Sequence, residues 1–244
     1  MKLSGRRVVI TGASRGLGKA LARRFAREGA ALALCARDGA PLKQVAGELA
    51  DIGVKVLWKE CDVGNAKEVD KFVSVVFEEF EFVDVLVNNA STIAPLKRIA
   101  DYSIAEWNEI IQVNINGSFY VTRKFLPSMM KRKSGMIINV SSSVGRAARA
   151  QWGAYSISKI ALEGFTQILA EELKPFSISV NSVNPGPMAT EMRRVVHPEE
   201  NQELLNKPEM LTDLFVYLAS TDGIGISGQQ FDAAKYVTQS KEKP

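Results

Sequence analysis

The order of apolar segments predicts an α/β domain, a doubly wound and mostly parallel sheet of about seven strands with helices on both faces. Three observations carry that expectation. Short apolar runs alternate with longer amphipathic ones along the whole chain, the βαβα order that right-handed crossovers turn into a parallel sheet. The run Ala31–Cys35 is apolar without polar alternation, as in a strand buried on both faces. The 244 residues are 46% hydrophobic and 24% charged, which suits one domain over 1–244 with a sizeable core.

Taken in order, Val8-Val9-Ile10 reads as a strand, and Lys19 to Glu28 as a helix with Leu21, Ala22 and Phe25 on one face. Ala31–Cys35 follows as a strand, then a helix through Leu42, Val45 and Leu49. Lys55 to Trp58 is a third strand, Val69 to Phe77 a helix, and Val83 to Val87 a fourth strand. Ser103 with Glu106 forms a capping-box pattern opening one long helix towards Lys131. Met136 to Val140 is a fifth strand. The next helix runs from Gly153 to Leu173 and ends ahead of Pro175. Ile178 to Val183 is a sixth strand, Leu211 to Ala219 a last helix, and Gln229 to Ala233 a seventh strand. A polar tail from about Gln239 is expected to fray.

Composition excludes several function classes. A net charge of +4, without a Lys/Arg tract, argues against nucleic acid as partner. Cys35 and Cys61 read as buried small hydrophobes in a reducing compartment, too few for a disulfide framework or zinc site. The lone His197 speaks against a His-pair metal site and a Ser–His hydrolase, and no metal is expected. With no signal peptide and no span of about 18 apolar residues, the expected location is cytoplasmic, without a membrane partner.

Thr11-Gly12-Ala13-Ser14-Arg15-Gly16-Leu17-Gly18 lies between the first strand and first helix. Glycines allow a tight turn and close approach of a ligand, and the helix start behind them offers free N–H groups to a pyrophosphate. The glycine gaps are four and two, a variant of the usual dinucleotide spacing; a turn that merely packs helix on strand is the alternative. At the end of the second strand a carboxylate would select NAD and a basic residue NADP. If that strand ends at Cys35, Ala36 takes the acidic position, Arg37 follows and Arg15 points to the same region, a pair suited to a phosphate. A slip of two residues would instead bring Asp38 to the ribose.

Tyr155 and Lys159 are four apart at the start of a helix, so phenol and ammonium share a face. A nearby ammonium favours the phenolate, the acid/base group that carbonyl chemistry needs. Ser141-Ser142-Ser143 closes the fifth strand, Asn114 lies mid-helix before Gly117, and Pro185-Gly186-Pro187-Met188-Ala189-Thr190 follows the sixth strand.

With Cys61-Asp62-Val63 and Asn88-Asn89-Ala90-Ser91, these motifs resemble the short-chain dehydrogenase/reductase family over nearly the whole chain, in particular its compact 3-oxoacyl-thioester reductases and carbonyl reductases. The resemblance implies a Rossmann-type fold and an oxidoreductase moving hydride between NADP(H) and a carbonyl or alcohol carbon. It implies Tyr155 as general acid/base, Lys159 beside it, Ser142 on the substrate oxygen, and Asn114 bonding a water that leads to the lysine. It implies cofactor contacts at Gly12, Ser14, Arg15, Gly16, Leu17, Gly18, Arg37, Asp62, Val63, Asn89, Ala90, Tyr155, Lys159, Pro185, Gly186, Met188 and Thr190. A non-catalytic NADP-binding or sensor protein, and an epimerase or dehydratase, are the competing readings.

The chain departs from the family pattern in three places. Ser91 stands where the family has glycine. Phe231-Asp232-Ala233-Ala234 stands where it often has Asp-Gly-Gly near a subunit interface, which leaves homodimer against homotetramer open. The segment 187–208, the expected substrate lid, is short. Lys97, Arg98, Arg146, Arg149, Arg193 and Arg194 are expected on the active-site side, where they either attract an anionic substrate such as a carrier-linked thioester or are ordinary solvated charges. Trp152 is either a pocket wall or core.

Overall fold

Alternate residues of a strand point to opposite faces, so a sheet covered by helices on both sides needs apolar residues at every position. β1 (Arg7–Thr11), β2 (Ala31–Ala36), β4 (Val85–Asn88), β5 (Gly135–Val140) and β6 (Ile178–Asn184) are almost wholly buried, whereas β3 (Val56–Glu60) and β7 (Gln230–Asp232) are the partly exposed edges. The computed structural model describes residues 1–241, with the backbone alone for 239–241. All seven strands are parallel, in the order β3-β2-β1-β4-β5-β6-β7. The expected fold class stands, with no antiparallel strand among the described residues.

Val8 and Ile10 face one core with α1 (Gly16–Arg27), α2 (Gly39–Ala50) and, further along the chain, Asp213–Ala219. Val9 faces the other, built by α3 (Ala66–Phe80) and by the helical segments Gly117–Arg132 and Gly153–Leu173. The strand order reverses between β1 and β4, and ligands of such sheets bind at the carboxyl edge beside that switch point.

Three stretches differ from expectation. The long helix opened by Ser103 is two helices, α4 (Ile104–Ile111) and α5 (Gly117–Arg132), joined by a π-helical turn over Gln112–Asn116. The capping box itself is present, with Glu106 N donating to Ser103 Oγ and Ser103 N to Glu106 Oε2. After α6 (Gly153–Leu173), the 187–208 segment contains a short helix, α7 (Glu191–Val196). Beyond α8 (Asp213–Ala219), the chain forms α9 (Ala233–Lys241), because Tyr236 and Val237 pack on the core. The tail expected to fray from Gln239 starts within the last turn of α9, and its remainder, 242–244, lies outside the described residues. Among the described residues no helix is long and apolar enough to cross a membrane.

Candidate active site

The glycine turn is built by close approach. A Cβ on Gly12, whose φ is +65°, would lie 2.8 Å from Ala90 Cα; one on Gly18 would collide with the Gly12 carbonyl and the Asn89 amide. Asn89 sits there because its Nδ2 donates to Thr11 O at 2.9 Å and Gly12 O at 3.1 Å. Thr11 Oγ1 accepts from the N–H groups of both Asn89 and Ala90, each at 3.0 Å. Thr11 was not singled out from sequence, since nothing distinguishes it there from any strand threonine.

Behind the turn, α1 starts without a side-chain cap and without an acid in its first turn. Its free N–H groups, the glycine cradle and the buried Leu17 beneath it fit a dinucleotide pyrophosphate. Ser14 lies in the same turn, half-buried.

β2 extends one residue beyond the expected end, to Ala36, and Arg37 is the first residue past it. Asp38 is occupied as the N-cap of α2, accepting from Ala40 N at 3.3 Å. Arg37 pairs with Glu109 at 3.0 Å and Arg15 with Glu191 at 2.5 Å, so each arginine at the rim holds a carboxylate. Next to them, Asp62 Oδ1 accepts from Gly64 N, and Val63 packs where Gly117 leaves room.

Tyr155 and Lys159 lie in the first turns of α6, both buried, with Lys159 only 2% exposed. The ammonium donates to Val140 O at 2.8 Å and lies 5.6 Å from the Tyr155 ring centre. Ser142 follows β5, and its contact with the phenol lowers the Tyr155 pKa. Burial outweighs that contact and pushes the phenol up to about 12. The depression by ammonium expected from the Tyr/Lys spacing is thus not what governs the ligand-free site. Burial also pushes Lys159 down to about 8, opposed by the negative charge of Glu163.

Glu163 lies one helical turn beyond Lys159 and, although charged, is 5% exposed. It accepts from Ser182 Oγ at 2.5 Å and from Arg146 Nε at 3.2 Å. Arg146 also reaches Phe231 O and Asp232. Asp232 in turn accepts from Asn184 Nδ2, whose Oδ1 takes the N–H of Gly186. A buried ionic relay therefore runs from the lysine helix to the loop Pro185-Gly186-Pro187-Met188. The i, i+4 spacing of Lys159 and Glu163 was its only trace in the sequence.

Asn114 sits in the π turn. It donates to Thr92 O and Ser158 Oγ, each at 3.0 Å, and accepts from Thr92 N at 2.8 Å. Thr190 caps α7 by accepting from Arg193 N, and its Cγ2 faces the cradle at Gly16. Trp152 stands between Tyr155 and His197, 6.0 Å from each ring centre. Just before it, Gln151 adopts φ +73° and its carbonyl accepts from Lys97 N. Such strain in a non-glycine residue is typical of positioned functional segments.

The cationic cluster does not form one field. Lys97 pairs with Glu106, Arg98 with Asp101, Arg146 with Glu163 and Asp232, and Arg193 with Glu200. Arg149 and Arg194 are exposed, and among the described residues neither side chain has an ion-pair or hydrogen-bond partner. Cys35 and Cys61 are both free and buried.

Comparison with known proteins adds the lineage. Residues 6–201 match the family model described as short chain dehydrogenase. The chain is 33% identical over 237 residues to the uncharacterized oxidoreductase YciK of Escherichia coli, covering 95% of this chain and 92% of the relative. It is 33% identical over 238 residues to the 3-oxoacyl-[acyl-carrier-protein] reductase FabG of Aquifex aeolicus, covering 94% and 96%. A short chain dehydrogenase of Shigella flexneri, solved in complex with NADP, superposes with a TM-score of 0.91 at 32% identity, covering 96% of this chain and 98% of that one.

Proposed function

The chain belongs to the short-chain dehydrogenase family, and from that premise we propose that it is an NADP(H)-dependent oxidoreductase interconverting a small-molecule carbonyl and its alcohol. One observation carries the reading. A buried ammonium and a buried phenol share one face of α6, with Ser142 on the phenol, at the carboxyl edge beside the glycine cradle.

In this reading NADP(H), when bound, supplies or accepts the hydride. Gly12, Ser14, Gly16, Leu17 and Gly18 hold the pyrophosphate, with Arg15 and Arg37 on the 2′-phosphate. Asp62, Val63, Asn89 and Ala90 line the adenosine side; Pro185, Gly186, Met188 and Thr190 line the nicotinamide side, and segment 187–208 acts as the lid over the substrate. The NADP complex of the Shigella relative supports the choice of cofactor.

Ser142 donates to the substrate oxygen and steadies the charge that develops there. Tyr155, held protonated by burial, gives its proton to that oxygen in reduction and takes it back in oxidation. The Lys159 ammonium stabilises the phenolate left behind, and Asn114 carries a water towards Lys159. Since burial places Lys159 at about 8, its charge is present below that pH and lost above it. The kcat of carbonyl reduction should fall as pH rises through about 8.

A carrier-linked thioester is the narrower substrate reading. The Aquifex relative and the two unpaired arginines, Arg149 and Arg194, support it. It requires kcat/KM for such a substrate to fall with ionic strength. Exposed Ile157, Ile160 and Ile168 on α6 support a homodimer or homotetramer.

NADPH and NADH oxidation with ketones, aldehydes and 3-oxoacyl thioesters tests the proposal. Turnover with NADPH is expected, and Tyr155→Phe should lower kcat by about 10²–10⁴-fold while NADPH still binds. Full activity of Tyr155→Phe would remove the acid/base assignment. NADPH binding with no carbonyl reduced would favour the sensor reading.

A further inference from the structure

Lys159 and Glu163 lie one turn apart on α6, and both are buried, at 2% and 5% exposure. The ammonium donates to the Val140 carbonyl of β5, and the Gly145 backbone presses on the lysine stem from the turn after that strand. The titratable and charged groups about it are Tyr155 and Glu163 of its own helix and Arg146 at the end of that turn, with Asp232 of β7 behind the arginine. Signs alternate along this row: ammonium, carboxylate, guanidinium, carboxylate.

A buried ion pair recovers in attraction little more than it loses in desolvation. Packing alone would be served as well by apolar side chains. What the charges do is join two places. Glu163 is pinned by Ser182 Oγ of β6 and by Arg146 Nε, and Arg146 holds Asp232 at 3.2 Å. Asp232 accepts from Asn184 Nδ2 at 2.6 Å, and Asn184 Oδ1 accepts from Gly186 N at 3.1 Å. Gly186 stands at φ +83° in a turn that these two bonds hold and that lies against Ala234 of α9.

We infer that Glu163, Arg146 and Asp232 are positioning residues, one charged network that keeps Lys159 cationic at one end and holds the 185–188 loop in shape for the nicotinamide at the other. The inference rests on the function proposed above. Each of the three acts through Lys159 or through Gly186 rather than on the reacting atoms.

Carbon-13 NMR of the free chain, labelled at lysine Cε, reads the charge of Lys159 directly; its resonance is the one lost in Lys159→Arg. Calorimetric titration with NADP+ at about pH 6, where the ammonium is charged in every variant, reads the loop. In wild type the lysine midpoint is expected at about 8, where burial places it. Glu163→Gln keeps the size and removes the charge, so the ammonium loses a stabilising neighbour and the midpoint should fall by about one pH unit. Its Kd for NADP+ should rise about three- to tenfold, the worth of one lost hydrogen bond. Asp232→Ala should raise Kd by a similar factor and lower the lysine midpoint by less. Glu163→Asp restores the charge and should return the midpoint towards wild type.

An unchanged lysine midpoint in Glu163→Gln would overturn the inference, and so would an unchanged Kd in Asp232→Ala. Each variant moving its own end alone would also overturn it, since the row would then be two separate contacts. Should Glu163→Gln not fold, Asp232→Ala, at the partly exposed end of the row, decides through both readouts. Failure of wild type to bind NADP+ would sink the proposed cofactor, while the lysine titration would still report on Glu163, which separates the two failures.

Discussion

The floor and the rim of the proposed cofactor cleft are built in opposite ways. On the floor, Gly12, Gly18, Asn89 and Thr11 lock backbone to backbone, with interatomic space so small that no side chain can be added. At the rim, Arg15 and Arg37 are held only by carboxylates in water, the side chains of Arg15 and Glu191 being 73% and 66% exposed. A floor of this kind binds whatever fits its shape and cannot be retuned by one side chain. A rim of exposed ion pairs, each worth little, exchanges partners readily and is where discrimination between two similar cofactors can sit.

The contrast is sharpest at Gly18. Gly18→Ala forces a methyl group onto the Gly12 carbonyl, and overpacking of that kind costs about 1–3 kcal/mol. Differential scanning calorimetry should show a Tm lower by about 3–10 °C, with affinity for NADPH and NADH lost together. Selective loss of NADPH alone would mean that the floor, too, reads the 2′ position. At the rim, Arg37→Ala should raise the KM for NADPH about tenfold, the worth of a hydrogen bond to a charged group, and leave that for NADH unchanged. Equal effects on both cofactors would erase the distinction between the regions. The smallest change is expected for Glu191→Gln, which removes the carboxylate that a 2′-phosphate would have to displace from Arg15 in the proposed mode of cofactor binding. NADPH should bind about two- to threefold tighter, an effect that vanishes in high salt; weaker binding would show that Glu191 orders the arginine rather than competing for it.

The same division explains what could be read from the chain before its fold was known. Backbone constraints leave marks in composition: glycines where space is absent, unbroken apolar runs where a strand is covered twice, Tyr155 and Lys159 one helical turn apart. Pairings made in space leave almost none. Of the partners that neutralise the cationic loops, Asp101 lies three residues from Arg98, but Glu163 lies seventeen beyond Arg146. The π turn around Asn114 was missed because one extra residue per turn barely disturbs an apolar period, although a poor helix former followed by Gly117 hinted at it. α9 was missed because its mainly polar sequence buries little beyond Tyr236 and Val237. Beyond the spacing of Lys159 and Glu163, the relay through Glu163, Arg146 and Asp232 could not be read until β7 was seen beside β6.

Trp152, set between Tyr155 and His197 of the 187–208 segment, also makes the protein its own optical probe. An indole between Tyr155 and His197 changes its surroundings when either ring moves. Of the three tryptophans, Trp58 lies on the distant edge strand β3 and Trp107 on α4. A Trp107→Phe background would therefore leave one emitter beside Tyr155 and one far from it. Stopped-flow emission could then time any movement of the 187–208 segment against Tyr155 on adding NADPH, without a label attached to the chain.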